Sequence, residues 1–279
     1  MIFKRKYIFF LFFLFIIVFS SLTMKQMSSS KKIVVFDLDE TLGHFTQLGY
    51  FCEGLENILD IELTNEDMII LIDIYPEFLR PNILTILNYL KKLKTRKICD
   101  KVMIYTNNQG PASWADSIKI YFEDKLNYKL FDRVILAFKI GNRRIELNRT
   151  SHDKKVSDFF KCTKLPIDSE ICFIDDRYHP EMTGDNVYYI QVKPYDYTLY
   201  SDEMIDRLFK SKLSKKINDK DVFRRKMSNL MKGYQYIEKT DEDYEIDKIV
   251  SKKIMENLQM FFANGKLNKT LKKRKNKDN

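Results

Sequence analysis

The segment Val34-Val35-Phe36-Asp37-Leu38-Asp39-Glu40-Thr41-Leu42 constrains this chain more than any other. A short apolar run stops abruptly at two carboxylates spaced two apart, and a hydroxyl follows. Residues 33–36 have the continuous apolar character of a parallel strand buried on both faces. Asp37 stands where that strand ends, and in an open α/β sheet the carboxyl ends of the strands form the ligand crevice. Residues two apart in an extended segment point the same way, so Asp37 and Asp39 converge on one site. Two converging carboxylates must bind a cation or share a proton. A lone D-x-D-x-T arises by chance in a chain this long with a probability of roughly 0.06. The later strand ends therefore decide whether it matters.

Residues 101–105 form a second apolar run, which ends in Thr106-Asn107-Asn108-Gln109-Gly110-Pro111. Residues 171–174 form a third, which ends in Asp175-Asp176-Arg177. Between them Ser151-His152-Asp153-Lys154-Lys155 is a polar turn that opens a helical pattern. Strand ends thus supply an acidic pair, a hydroxyl, a lysine and a second acidic pair, in that order. This order resembles the haloacid dehalogenase superfamily of aspartate-nucleophile phosphotransferases, with all four of its motifs in place. Three features resemble its NLI-interacting-factor-like branch: Asp37-Leu38-Asp39-Glu40-Thr41-Leu42, the Leu79-Arg80-Pro81 triplet before a helix, and Asp185-Asn186-Val187-Tyr188-Tyr189. That branch holds the small phosphatases of the RNA polymerase C-terminal domain. The resemblance spans residues 32–208. The branch usually carries Asp-Asn where this chain has Asp175-Asp176, and Thr-Ala-Ser where it has Thr106-Asn107-Asn108. The Thr-Asn-rich turn also resembles polynucleotide phosphatases of the same superfamily.

The resemblance implies an α/β fold, a Rossmann-like three-layer parallel sheet with a minimal cap. The alternation of strand and helix patterns independently argues for a parallel sheet covered on both faces. The resemblance also implies roles. Asp37 is the nucleophile, and Asp39 protonates the leaving oxygen and then deprotonates water. Thr106 donates to a phosphoryl oxygen, with Asn107 or backbone N–H groups of the turn beside it, and Thr41 assists in substrate binding. A lysine neutralises the phosphoryl charge. Aligning Val156-Ser157-Asp158-Phe159 with the family's helix start favours Lys154, with adjacent Lys155 the alternative. Mg²⁺ is the implied cofactor, held by Asp37, the backbone carbonyl of Asp39, Asp175 and Asp176, the last directly or through water. Its preference for octahedral oxygen ligands suits this set.

The function that follows is Mg²⁺-dependent hydrolysis of a phosphomonoester through an aspartyl-phosphate, on the serine or threonine of a phosphoprotein. Two alternatives stand beside it: a nucleic-acid 3′-phosphatase, and a non-catalytic docking protein on the same scaffold. The spans 41–106 and 106–154 leave little room for a lid once their core elements are placed. An open site suits a large substrate.

With 279 residues the chain can build one substantial domain plus extensions. Its organisation reads as a hydrophobic segment over 1–30, a phosphatase domain over 31–212, a helical extension over 213–265 and a basic disordered tail over 266–279. The formal net charge of +9 is uneven, because that tail holds seven Lys or Arg against one Asp. A basic tail can contact nucleic acid or anionic membrane. Cys52, Cys99, Cys162 and Cys172 form no C-x-x-C pair, which points to a reduced, cytoplasmic or nuclear catalytic domain. Lys4-Arg5-Lys6 precede an apolar run over 7–22. As a helix that run reaches roughly 24 Å, or roughly 27 Å if extended to Met24, just short of a bilayer core. It reads as a membrane anchor, a cleaved signal, or a stretch upstream of a start at Met24 or Met27.

Further elements follow from periodicity: a short helix at 55–59, a strand at 68–74, helices at 81–93 and 112–125, a strand at 133–138, a helix after Lys154 and a strand at 187–192. Gly141-Asn142 reads as a turn. Ser201 is the expected cap of a helix over 202–209, and 219–232 and 244–263 read as amphipathic helices, the last stopped by Asn264-Gly265. His44, His152 and His179 are scattered; His44 and His179 lie just past motifs and read as solvated loop residues, with a place lining the cleft as the alternative, and Trp114 reads as packing.

Overall fold

The computed structural model describes residues 30–263. The apolar run 7–22, the tail 266–279 and the Asn264-Gly265 stop lie outside the described residues. In chain order the first elements are β1 (Lys32–Phe36), α1 (Thr46–Leu59), α2 (Asn65–Ile74), α3 (Ile83–Thr95), β2 (Lys101–Tyr105) and α4 (Ala112–Leu126). Then come β3 (Arg133–Ile135), a hairpin of β4 (Lys139–Ile140) and β5 (Arg143–Arg144), and α5 (Val156–Thr163). The chain continues with β6 (Glu170–Asp175), β7 (Val187–Gln191), α6 (Ser201–Lys210), α7 (Lys220–Met231) and α8 (Asp241–Ala263).

Five strands form one all-parallel sheet in the order β3-β2-β1-β6-β7. The molecule is thus α/β, a parallel sheet flanked by helices, an arrangement compatible with a Rossmann-like fold. β1 is central, and the chain turns to opposite sides of it, first to β2 and later to β6. The carboxyl ends of β2, β1 and β6 therefore meet at a topological switch point, where open sheets leave a crevice.

Alternation along β1 explains both faces. Val34 and Phe36, with Val102, Ile104, Cys172 and Ile174 beside them, face the larger core, to which α1 through α4 and α6 through α8 contribute. Ile33 and Val35, with Met103, Tyr105, Ile171 and Phe173, face Phe159 and Cys162 of α5. Successive side chains of a strand point to opposite faces, so a strand covered on both needs an unbroken apolar run. All four free cysteines are buried.

Four expectations need correction. Residues 68–74 are not a strand but most of α2, because a short apolar run carries no period of its own. The deciding signal is a capping box: Thr64 Oγ1 accepts from Asp67 N–H at 3.2 Å, and Asp67 Oδ2 accepts from Thr64 N–H at 2.9 Å. The helix expected at 55–59 begins at Thr46. α6 begins at Ser201 itself, with Tyr200 as an N-cap whose side chain makes no capping bond. β3 stops at Ile135, because the chain turns there into the β4–β5 hairpin, whose Gly141 has φ +55°.

α7 and α8 contribute Phe223, Met227, Met231, Ile254, Leu258 and Phe261 to the larger core. α7 lies so close to α1 that a Cβ on Gly54 would meet Met227 Sδ at 3.0 Å. Tyr188 Oη donates to Asn257 Oδ1 of α8 at 2.8 Å, and Lys32 Nζ donates to the Phe261 carbonyl in its last turn at 3.0 Å. Among the described residues no helix is long and apolar enough to cross a membrane.

Candidate active site

Asp37 follows β1 directly, and its N–H continues the ladder to the Ile174 carbonyl at 2.9 Å. Its carboxylate is buried at the carboxyl end of the sheet. The chain then makes a tight turn in which Glu40 has φ 57°, a left-handed conformation that costs a non-glycine residue about 1 kcal/mol. The turn is held from several directions. Glu40 N–H donates to the Gly43 carbonyl at 2.8 Å, and Tyr195 N–H donates to the Glu40 carbonyl at 2.9 Å. Arg80, fully buried, donates from Nε to the Thr41 carbonyl at 2.6 Å and from Nη2 to the carbonyls of Glu40 at 2.6 Å and Lys193 at 2.9 Å. Gly43 is required by close approach, because a Cβ there would lie 2.4 Å from the Phe78 carbonyl oxygen.

β2 delivers Thr106, buried, whose Oγ1 accepts from Asn108 N–H at 2.9 Å. Asn108 in turn donates from Nδ2 to Asp39 Oδ2 at 2.7 Å. Asn107, expected at the phosphoryl group, has its Oδ1 taken by Arg149 Nη2 at 2.6 Å. Arg149 is fully buried and also donates to the carbonyls of Thr106 and Leu136, both at 2.9 Å, and of His152 at 2.8 Å. One guanidinium thus ties the turn after β2 to the turn that carries the lysine.

The two lysines separate cleanly. Lys154 Nζ is buried in a close ion pair with Asp37 Oδ1 and 2.7 Å from Asp175 Oδ2. Lys155 points away and pairs with Glu181 Oε1 at 2.8 Å. β6 delivers Asp175 and Asp176. Asp175 Oδ1 accepts from Arg177 N–H at 2.8 Å. Asp176 N–H donates to Thr41 Oγ1 at 3.2 Å, and Thr41 Oγ1 lies 3.4 Å from Asp176 Oδ1. Thr41, expected at the substrate, is buried and tethers the second acidic pair to the first turn.

Carboxylate oxygens of Asp37, Asp175 and Asp176 lie within 4.8 Å of one another. The carboxylate of Asp39, which was expected to offer only its backbone carbonyl to a metal, is not part of this trio. Burial pushes Asp37 up to about 6 despite the neighbouring Lys154. Burial raises Asp39 to about 7, against the hydrogen bond from Asn108. Burial and the charge of Asp37 raise Asp176 to about 6, and burial also raises Asp175. Burial opposes the charge on Lys154, but Asp37 and Asp175 outweigh it and hold the ammonium protonated. One lysine among four acidic groups leaves the pocket short of positive charge. An all-oxygen trio short of positive charge fits a hard divalent cation such as Mg²⁺.

His44 and His179 are corrected from solvated to buried. His44 Nδ1 meets Glu40 Oε1 at 3.1 Å and Asp196 Oδ1 at 3.8 Å. His179 Nε2 lies 3.5 Å from Asp175 Oδ2, and burial and Lys154 push it down to about 4, so it is neutral. Both follow an acidic motif directly, and that position was the available signal. Trp114 packs as expected, half-buried beside Gly49, where an added Cβ would meet its ring at 3.4 Å. Sequence reasoning gave no role to Asn108, Arg80 or Arg149. Asn108 and Arg80 lie inside motifs already singled out, whereas Arg149 carries no local signal. No protein-family model matches this chain, and no curated protein matches it.

Proposed function

We propose that this protein is a Mg²⁺-dependent phosphomonoesterase of the haloacid dehalogenase type, using Asp37 as nucleophile. The observation that carries the reading is Lys154. A buried ammonium bridges carboxylates from the ends of two adjacent strands, at the switch point of a parallel sheet. Phosphate esters resist attack because nucleophile and substrate are both anionic, so their catalysis is chiefly positioning and charge neutralisation.

Asp37 attacks phosphorus in line with the ester oxygen. The P–O bond to the leaving group breaks, and that oxygen takes the proton of Asp39. The high pKa of Asp39 keeps its carboxyl protonated close to neutrality, as a general acid requires. Asp39, now a carboxylate, takes a proton from water. The water oxygen attacks phosphorus, expels Asp37 and releases inorganic phosphate. Lys154 neutralises the phosphoryl oxygens, and Thr106 with the N–H groups of its turn supplies donors to them. Asp37, Asp175 and Asp176 would hold Mg²⁺, which when bound shields the nucleophile from the phosphate charge.

The substrate class is a phosphoserine or phosphothreonine protein. Its support is the span from Thr106 to Lys154, which α4, β3 and the small β4–β5 hairpin take up without an inserted lid domain. The Asn107-Asn108 turn favours the second reading, a nucleic-acid 3′-phosphatase. The test is a screen with p-nitrophenyl phosphate, phosphopeptides and 3′-phosphorylated oligonucleotides, with Mg²⁺ and with EDTA. Mg²⁺-dependent release of phosphate, fastest from phosphopeptides, is expected. Preference for oligonucleotides moves the substrate class, and inactivity on all three leaves the docking protein.

A further inference from the structure

Asn108 makes three hydrogen bonds that together aim one group. Its backbone N–H donates to Thr106 Oγ1 at 2.9 Å, and its side-chain Oδ1 accepts from Gly110 N–H at 2.8 Å. A backbone N–H can only donate, so the oxygen of the amide must face Gly110. That fixes the amide orientation and leaves Nδ2 for Asp39 Oδ2, at 2.7 Å. The other oxygen, Asp39 Oδ1, is buried with no partner among the described residues.

We propose that Asn108 is a positioning residue that directs the proton of Asp39 onto Oδ1, and so sets which leaving groups the site can expel. The inference rests on the phosphatase reading above. A neutral carboxyl has one carbonyl-like oxygen, the better acceptor, and one hydroxyl. The Asn108 donor holds the carbonyl character on Oδ2. The hydroxyl then falls on Oδ1, which has no partner among the described residues to compete with the leaving oxygen. Without the amide donor, Asp39 can turn and place its proton on either oxygen. The loss concerns proton donation alone. It therefore weighs on esters whose leaving oxygen is a strong base, such as alkyl phosphates. p-Nitrophenolate is a weak base and departs with little help.

The experiment measures kcat/KM for p-nitrophenyl phosphate and for β-glycerophosphate with Mg²⁺, in wild type, Asn108→Ala and Asn108→Asp. This constant covers only the steps up to formation of the aspartyl-phosphate, so the water-activating role of Asp39 does not enter. Asn108→Asp retains an acceptor for Gly110 N–H and puts an acidic oxygen, which draws the Asp39 proton to Oδ2, where the donor stood. Both variants should raise the preference for the aryl ester about ten-fold or more, a fraction of what a general acid contributes. An active wild type with unchanged preference in both variants would overturn the inference and leave the phosphatase reading intact. The inference also falls if Asn108→Ala shifts the preference and Asn108→Asp does not, since Asn108 would then only hold the turn. A wild type inactive on both esters overturns the phosphatase reading and this inference with it.

Discussion

Replacing Lys154 by Met tests the electrostatics of the site without any substrate. Met keeps most of the side-chain volume and removes the ammonium. Lys154 and Asp175 are all but excluded from solvent, with side chains 2% and 1% exposed. Removing one member of a buried ion pair costs about 3–5 kcal/mol, because the partner is left charged and unpaired. Here two partners are left, Asp37 and Asp175, with Asp176 close by. The cost must depend on pH, and its sign can be worked out. Asp37 already sits near 6 with the lysine present, above its unfolded value near 3.8. Removing the lysine raises Asp37 and Asp175 further. A carboxyl raised in the folded state binds a proton that the unfolded chain has released, so stability falls as pH rises through that window. The deficit of Lys154→Met should therefore be largest at pH 8 and at least about 1 kcal/mol smaller at pH 5. Urea unfolding of both proteins at the two pH values in metal-free buffer measures it. A deficit equal at both, or below about 1 kcal/mol at pH 8, would mean that the ammonium does not sit among buried carboxylates.

Lys155→Ala should change phosphatase activity little, whereas Lys154→Ala should lose at least about 10²-fold, a ranking read directly from kcat with p-nitrophenyl phosphate. Arg149→Ala should lower stability by at least about 3 kcal/mol, because it strips donors from three carbonyls and from Asn107, and Arg149→Lys should not restore it; chemical denaturation checks both. Asp67→Ala removes the α2 capping box and the ion pair with Lys216 at 2.7 Å, and should cost about 1–2 kcal/mol at pH 7. Burial opposes the charge of Asp67, but Lys216 and Thr64 outweigh it and lower its pKa. Its contribution is therefore present above the unfolded value near 3.8 and disappears as pH falls through the lower folded one, so the two proteins should converge in acid melts.

The strands that build the site were legible because their chemistry is local. Val34 to Phe36 and Ile171 to Ile174 must be apolar on both faces, and the acidic pairs that end the two runs, read together, mark the crevice. Lys154 was preferred to Lys155 by aligning Val156 with the helix start of the family the sequence resembles, and α5 begins at Val156. What escaped was non-local. Arg149 bonds to Thr106, 43 positions earlier, and Tyr195 to Glu40 across the sheet, and no periodicity encodes such pairs. Thr41, expected to assist at the substrate, meets Asp176, which lies 135 residues away, a pairing that no local pattern encodes. The strand expected at 68–74 failed for the opposite reason: the local signal at Thr64 and Asp67 was present, and the apolar run after it outweighed it.

The central claim is covalent, and it is tested by trapping. Wild-type protein turning over p-nitrophenyl phosphate with Mg²⁺ is quenched in acid, digested and examined by mass spectrometry. One phosphoryl group should appear on the peptide that contains Asp37, labile to hydroxylamine as an acyl phosphate is. Asp37→Asn, folded as judged by circular dichroism, should show neither label nor turnover. Turnover by Asp37→Asn close to the wild-type rate, or a phosphoryl group on any other residue, would contradict the account.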